Sequence, residues 1–173
     1  MISGLPGSGK STLGRGLAHV LKLAIIDKDE ILEKLFEHRG TGDAAWRRRL
    51  SRESDAIFES EAKASGGAVL ISHWHLAGMA SDSGTPTEWI AELQGVVVQV
   101  HCVCSAEIAA ARFRDRKRHP GHLDERSFEE ILASLLATEQ LGLLRLGNRL
   151  EVNTSREVDF EAVALEVERI FGT

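Results

Sequence analysis

The stretch Gly4-Leu5-Pro6-Gly7-Ser8-Gly9-Lys10-Ser11-Thr12 matches G-x-x-x-x-G-K-[ST], a spacing that suits one task, holding a polyphosphate. Gly4, Gly7 and Gly9 free the backbone to wrap an anion with inward-pointing N–H groups. Lys10 brings a mobile positive charge toward the β- and γ-phosphates, and Ser11 offers a hydroxyl to Mg²⁺. A helix opening at Lys10 aims its positive end at the same phosphates. The residues expected to touch nucleotide are therefore Gly4, Gly7, Ser8, Gly9, Lys10, Ser11 and Thr12, with Ser11 as the protein's ligand to the metal.

A second set of chemistry-bearing residues follows the strand-like run Leu23 to Asp27. Phosphoryl transfer needs a carboxylate near the attacking oxygen and little other covalent help from the protein. Asp29 is the candidate base or positioning group. Asp27 is the alternative, or a residue that holds Mg²⁺ through water. A third set is Arg112-Phe113-Arg114-Asp115-Arg116-Lys117-Arg118, in which five of seven residues are basic. Arg112 and Arg116 are four apart, hence on one helix face. They lead into the break at Pro120-Gly121, so a basic hinge would close over a triphosphate and neutralise the transferring group. His73-x-His75 and His119-x-x-His122 fall on separate loops without a cysteine nearby, which favours contacts to substrate or lid over metal ligation.

These groups need elements to position them. Lys10 to Leu21 has a helical apolar face of Leu13, Leu17, Val20 and Leu21. Apolar runs at Leu23 to Asp27, Ala68 to Ser72, Val96 to Cys104 and Arg149 to Asn153 read as strands. Between them lie helical stretches: one marked by Ile31 and Phe36, Asp43 to Ala64, a short helix opened by the capping pattern Thr85-Pro86-Thr87-Glu88, Ser105 to about Lys117, Ser127 to about Leu144, and Glu157 to Phe171. The face of the second of these carrying Arg47, Arg48, Arg49 and Arg52 reads as solvated. Only Met1, Ile2 and Ser3 precede Gly4, so either the first strand is truncated or the start lies upstream. Near-continuous apolar strands alternating with helices imply a parallel sheet covered on both faces. In such sheets ligands sit at the carboxyl ends of the strands, where Asp27, Asp29, Ser72, His73, His75, Ser105 and Asn153 to Ser155 would converge.

The totals set limits. At 173 residues one domain, 1–173, is expected. Hydrophobic content of 43% and charged content of 27% are those of a soluble globular protein. A formal charge of −5 speaks against a general nucleic-acid coat. No apolar run approaches membrane-spanning length and no signal peptide opens the chain, so the cytoplasm is the expected location. Cys102 and Cys104 read as small apolar strand residues.

Taken together, Gly4 to Thr12, Asp27-Lys28-Asp29 with Ile31, and Arg118-His119-Pro120-Gly121-His122 resemble the small P-loop kinases of the nucleoside-monophosphate-kinase type, including the AAA-domain predicted kinases of bacteria. The lid is similar to that of gluconate kinases, with Arg112, Arg116, Gly121 and His122 in the matching places. The resemblance implies an α/β three-layer sandwich, a P-loop NTPase fold with a five-stranded parallel sheet of order 2-3-1-4-5 and a lid at about 112–126. It implies ATP as donor, Mg²⁺, Asp29 as base, and Asn153 to Ser155 near the adenine. The expected catalytic set is thus Lys10, Asp29, Arg112 and Arg116. One departure is Ile71-Ser72-His73-Trp74, where many of these kinases carry an acid and then Ser-Asn, which suggests a different acceptor pocket. Trp74 is expected to stack on a ring or to pack under the lid.

The expected activity is transfer of the γ-phosphoryl group of ATP to a hydroxyl of a small molecule, by a monomer or homodimer. The competing readings are a P-loop ATPase or switch acting on a protein partner, and a kinase of nucleic-acid ends or nucleotide sugars. Absence of the pattern Asn-Lys-x-Asp speaks against a GTPase.

Overall fold

The structure is a computed structural model and describes residues 1–172. Five parallel strands form the sheet: β1 (Ile2–Ser3), β2 (Ala24–Asp27), β3 (Ala68–Ile71), β4 (Val98–Val103) and β5 (Asn148–Asn153). Their order is β2-β3-β1-β4-β5. β1 ends where the chain turns into the phosphate loop at Gly4. Its register is nonetheless fixed on both sides, Ile2 opposite Ile71 of β3 and opposite Val100 of β4.

Six α-helices cover the sheet: α1 (Lys10–Leu21), α2 (Lys28–Arg39), α3 (Ala44–Ala64), α4 (Ala106–Asp115), α5 (Phe128–Gln140) and α6 (Phe160–Phe171). α1 and α6 share one cluster with the strands, in which Leu13, Leu17, Ala164 and Val167 meet Ile2, Val69, Val100 and Val152. Gly14 makes the close approach of α1 to β3 feasible, because a Cβ there would lie 2.4 Å from Ile71 Cδ1. The other cluster at the sheet is built by α3. Phe58 is fully buried there with Ile26, Leu70, Trp74 and Trp89. α4 and α5 join through Ala109, Ala110, Phe113, Ile131 and Leu135.

Caps explain most helix starts. Asp27, Asp43, Ser105 and Asp159 each accept a backbone N–H of the first turn, and Ser127 with Glu130 forms a complete capping box. Asp159 as cap moves the start of α6 from the expected Glu157 to Phe160. α4 stops at Asp115 rather than Lys117, where Arg116 turns extended at φ −74°, ψ 137°. α5 stops at Gln140 rather than Leu144, because Gly142 at φ +83° leaves helical geometry. The capping pattern at Thr85 does not open an α-helix. Thr85 is buried, its hydroxyl 2.6 Å from that of Ser72 and its N–H bonded to His73 O, and only a 3₁₀ turn forms at Glu88–Glu92. No helix among the described residues is long and apolar enough to cross a membrane.

Trp74 does not pack under the lid; it sits in the core and borders the cavity beside the phosphate loop. It is buried, donates from Nε1 to Ile2 O at 2.7 Å and meets Phe58 edge-on. The indole thus satisfies a carbonyl of the shortest strand.

Candidate active site

The phosphate loop leaves β1 at Gly4 and enters α1 through Gly9, whose φ of +89° serves as the helix cap. Gly7 stands at φ +82°, and a Cβ there would sit 2.1 Å from Ala109 O. The loop is therefore pressed against α4, and a side chain at position 7 is excluded twice, by conformation and by space. From the far side, Thr154 beyond β5 donates its hydroxyl to Ser8 O at 2.7 Å.

Lys10 folds back over this loop. Its Nζ donates to Gly4 O at 3.0 Å and Leu5 O at 2.8 Å. Burial lowers its pKa to about 8, with the nearby Arg116 adding to the effect and Asp29 and Asp27 opposing it. At neutral pH it remains charged, and an anion in the loop would favour that state.

At the end of β2, Asp27 is buried and each of its oxygens holds one hydrogen bond. Oδ1 accepts the N–H of Asp29 at 3.0 Å and Oδ2 accepts the Ser11 hydroxyl at 3.2 Å. Burial raises its pKa to about 6, helped by the adjacent Asp29 and opposed by these two hydrogen bonds. An acid whose folded pKa lies above its unfolded value of 3.8 favours folding most at low pH. That contribution is lost as pH rises through about 6. In urea titrations, the stability of Asp27→Asn relative to wild type should therefore improve as pH rises from about 4 to about 6, then level off. A pH-independent difference would show that Asp27 is not destabilised by ionisation. Ser11 and Asp27 offer paired hard oxygens beside the loop, a donor set that fits Mg²⁺ completed by phosphate and water.

Two residues along, the carboxylate of Asp29 stands half-exposed at the mouth. Arg118 Nη2 meets its Oδ2 at 2.5 Å, while Arg118 Nη1 holds Asp124 Oδ2 at 2.7 Å. Burial would raise the pKa of Asp29, but the charges of Arg118, His122, Arg116 and Lys10 prevail and lower it. Asp29 is thus an anion held among cations. The segment that brings Arg118 here is seated on α2. His119 stacks on Phe36 with ring centroids 5.3 Å apart, and His122 meets the same ring edge-on at 5.5 Å. His122 Nε2 lies 2.9 Å from Glu33 Oε1.

The two expected catalytic arginines are apart from this contact. Arg112 Nη1 donates to Thr154 O at 2.8 Å, beside Gly9 on the loop's far flank. Arg116 lies over the Phe113 ring at 4.2 Å and reaches Asp124 only at 4.0 Å. The expected face of Arg112 and Arg116 is broken because α4 ends before Arg116. Arg118 belonged to the same basic run, but it reaches Asp29 because α4 ends at Asp115 and Arg116 turns extended, which helical spacing could not register.

Sequence reasoning also missed a brace behind the site. Lys28 Nζ lies 2.5 Å from Asp55 Oδ1 and 3.2 Å from Ser51 Oγ, and Arg52 contacts Asp55 Oδ2 at 3.0 Å. This ties α2 to α3 next to the two aspartates. Arg52 is therefore not part of a merely solvated face, and Arg47 is half-buried with its Nε enclosed.

His73 follows β3 and is half-buried. Burial lowers its pKa to about 4, with Lys10 adding to the effect and Asp29 opposing it, so the imidazole is neutral at physiological pH. It lines a cavity of about 330 Å³ that also borders Gly4 and Leu5. A larger cavity of about 730 Å³ lies at the opposite end of the sheet, around Ala68, Val98 and Leu21. The smaller cavity borders the start of the phosphate loop at the carboxyl ends of β1 and β4.

A family model described as an AAA domain matches residues 1–138. The chain belongs to this AAA domain family. This AAA-domain protein is 29% identical over 150 residues to a cytidylate kinase of Pyrobaculum neutrophilum, a match covering 83% of the chain and 70% of the relative. It is 40% identical over 77 residues to a shikimate kinase of Corynebacterium glutamicum, covering 41% of the chain and 43% of the relative. That match spans less than half the shikimate kinase's length. Among solved structures, a kinase candidate from Chloroflexus aurantiacus aligns with a TM-score of 0.77 at 26% identity, over 97% of this chain and 96% of that one. The shikimate kinase of Bacteroides thetaiotaomicron aligns with a TM-score of 0.62 at 17% identity, over 99% and 97%, which speaks to the fold. The AAA-domain protein is accordingly a P-loop phosphotransferase of the small-kinase type.

Proposed function

We propose that this chain transfers the γ-phosphoryl group of ATP to a hydroxyl of a small molecule. The observation that carries the reading is the meeting of a phosphate loop and its Lys10 with a carboxylate, Asp29, held under an arginine that arrives from another segment. The loop amides and Lys10 hold the β- and γ-phosphates. Ser11, with Asp27 behind it, would hold Mg²⁺, which when bound would neutralise phosphate charge. Asp29 orients the acceptor hydroxyl and takes up its proton as the oxygen bonds to phosphorus. The bond to the β–γ bridging oxygen breaks and ADP leaves. Asp27 is the weaker choice for this role, because both of its oxygens are already engaged.

The chain works as one domain, with residues of about 112–126 as a lid. Arg112 serves the nucleotide flank, Arg116 and Arg118 the transferring phosphoryl group. The Arg118–Asp29 pair is the resting latch of that lid, and the acceptor displaces it.

A transfer screen with γ-labelled ATP over sugars, nucleosides, aminoglycosides and 5′-hydroxyl oligonucleotides tests the reading. With the acceptor so found, Asp29→Asn should lower kcat by about 10²–10⁴-fold, the usual worth of a positioned acid–base group, with the ATP Kd little changed. Retained turnover would remove Asp29 from its role. If no acceptor in the screen is phosphorylated while a protein partner stimulates ATP hydrolysis, the small-molecule reading itself fails.

A further inference from the structure

Thr154 follows β5 directly and is buried at the flank of the phosphate loop. Its polar groups serve three different segments. The N–H donates to Val103 O at 2.9 Å and carries the pairing of β4 with β5 one residue past the strands. The carbonyl accepts Arg112 Nη1 from α4 at 2.8 Å. The hydroxyl donates to Ser8 O at 2.7 Å, a shorter contact than its 3.3 Å to Val103 O. The sheet, α4 and the phosphate loop thus meet at one residue.

The hydroxyl acts on one peptide of the loop. A trans peptide keeps its C=O and the following N–H on opposite sides, and the described residues contain no cis bond. With Ser8 O drawn to Thr154, the N–H of Gly9 faces the other way. Among the described residues that N–H has no acceptor, whereas the N–H of Ser8 closes a turn onto Leu5 O at 3.0 Å. Gly9 therefore offers an amide to an anion, next to the open amides in the first turn of α1. A peptide beside a glycine turns over at little cost, so its orientation needs a holder. The Thr154 hydroxyl is the one donor to Ser8 O among the described residues. The same residue seats a cation nearby. Thr154 Cβ and Arg112 Nη1 lie 3.7 and 3.9 Å from where a Cβ on Gly9 would stand.

We infer that Thr154 is a positioning residue for polyphosphate binding, its hydroxyl holding the Ser8–Gly9 peptide with the Gly9 N–H turned to the phosphate. Without that hydroxyl the Ser8 carbonyl loses its donor, and the peptide is free to present oxygen where the amide stood. The inference rests on the loop holding nucleotide phosphates, not on the choice of acceptor.

The test is calorimetric titration with inorganic tripolyphosphate, which carries no base or sugar to bind elsewhere. Thr154→Val, similar in shape but without the hydroxyl, should weaken binding about ten-fold, the scale of one hydrogen bond to a buried group. Thr154→Ala repeats the measurement without the second methyl, so that a misfit of valine decides nothing. Thr154→Ser should return the affinity to within about three-fold of wild type. Amide NMR supplies a readout that a merely structural role would not move. The Gly9 resonance should shift when tripolyphosphate is added to wild type and to Thr154→Ser, and should stay in place in Thr154→Ala. Wild-type affinity in both hydroxyl-free variants, no recovery in Thr154→Ser, or the same Gly9 shift in all of them would each overturn the inference. If hydroxyl-dependent tripolyphosphate binding is found while the phosphoryl-transfer screen fails, the kinase reading falls and the role of Thr154 stands.

Discussion

Lys10→Ala lowers kcat with ATP by about 10²–10³-fold, the loss typical of removing one preorganised group that meets developing charge. The variant should stay folded, because Lys10 lies at the mouth of the loop and its bonds to Gly4 and Leu5 carbonyls are worth only about 1 kcal/mol each. The measurement is steady-state transfer at saturating ATP, with thermal melting as control. Lys10→Arg should recover little, since a bulky planar guanidinium cannot take the place of a compact ammonium where the loop carbonyls of Gly4 and Leu5 close around it. Wild-type turnover in Lys10→Ala would mean that the loop does not address the transferred phosphate.

The largest stability effect belongs to Asp55. It is the counter-ion of Lys28, and both side chains are about nine-tenths buried, at 10% and 11% exposure. Asp55→Ala leaves the ammonium in the interior beside only Ser51, and the unfolding free energy should fall by about 3–5 kcal/mol. Arg52 loses the same partner, which adds repulsion to the loss. Replacing both members, Lys28→Met with Asp55→Leu, should restore most of the stability, because the attraction within a buried pair roughly offsets its desolvation. Urea denaturation of the three variants decides it. A loss below about 1 kcal/mol in Asp55→Ala would show that water reaches Lys28.

Much of the fold was legible because its signals are local. Gly4 to Thr12 specifies a loop and a helix start through backbone conformations that few other residue sets permit. Ile25, Ile26, Val69 and Val100 lie in apolar runs too short for helices, and the resemblance supplied the strand order that the sheet adopts. What was not legible depended on contacts distant in sequence. Trp74 offered no sign that it would seek a carbonyl 72 residues earlier. The pairing of Arg118 with Asp29 spans 89 residues and hinges on where α4 stops, a matter of two residues. The brace of Lys28, Ser51, Arg52 and Asp55 appears in sequence as ordinary surface charge on two helices. Its burial is decided only by how α2 lies against α3.

Asp29, Glu33 and Phe36 lie on one stretch of α2, and each grips the 118–124 segment or the histidines within it. Ligand recognition and lid position therefore draw on the same surface. A molecule that seeks the Asp29 carboxylate competes with a guanidinium already in place, so its apparent Kd exceeds the intrinsic one by the inverse of the unlatched fraction. Weakening the grip elsewhere, for instance at Phe36, would tighten acceptor binding without altering any atom that touches the acceptor. The arrangement makes selectivity adjustable from a distance: residues that never meet the substrate set how much binding energy it must supply before the site accepts it.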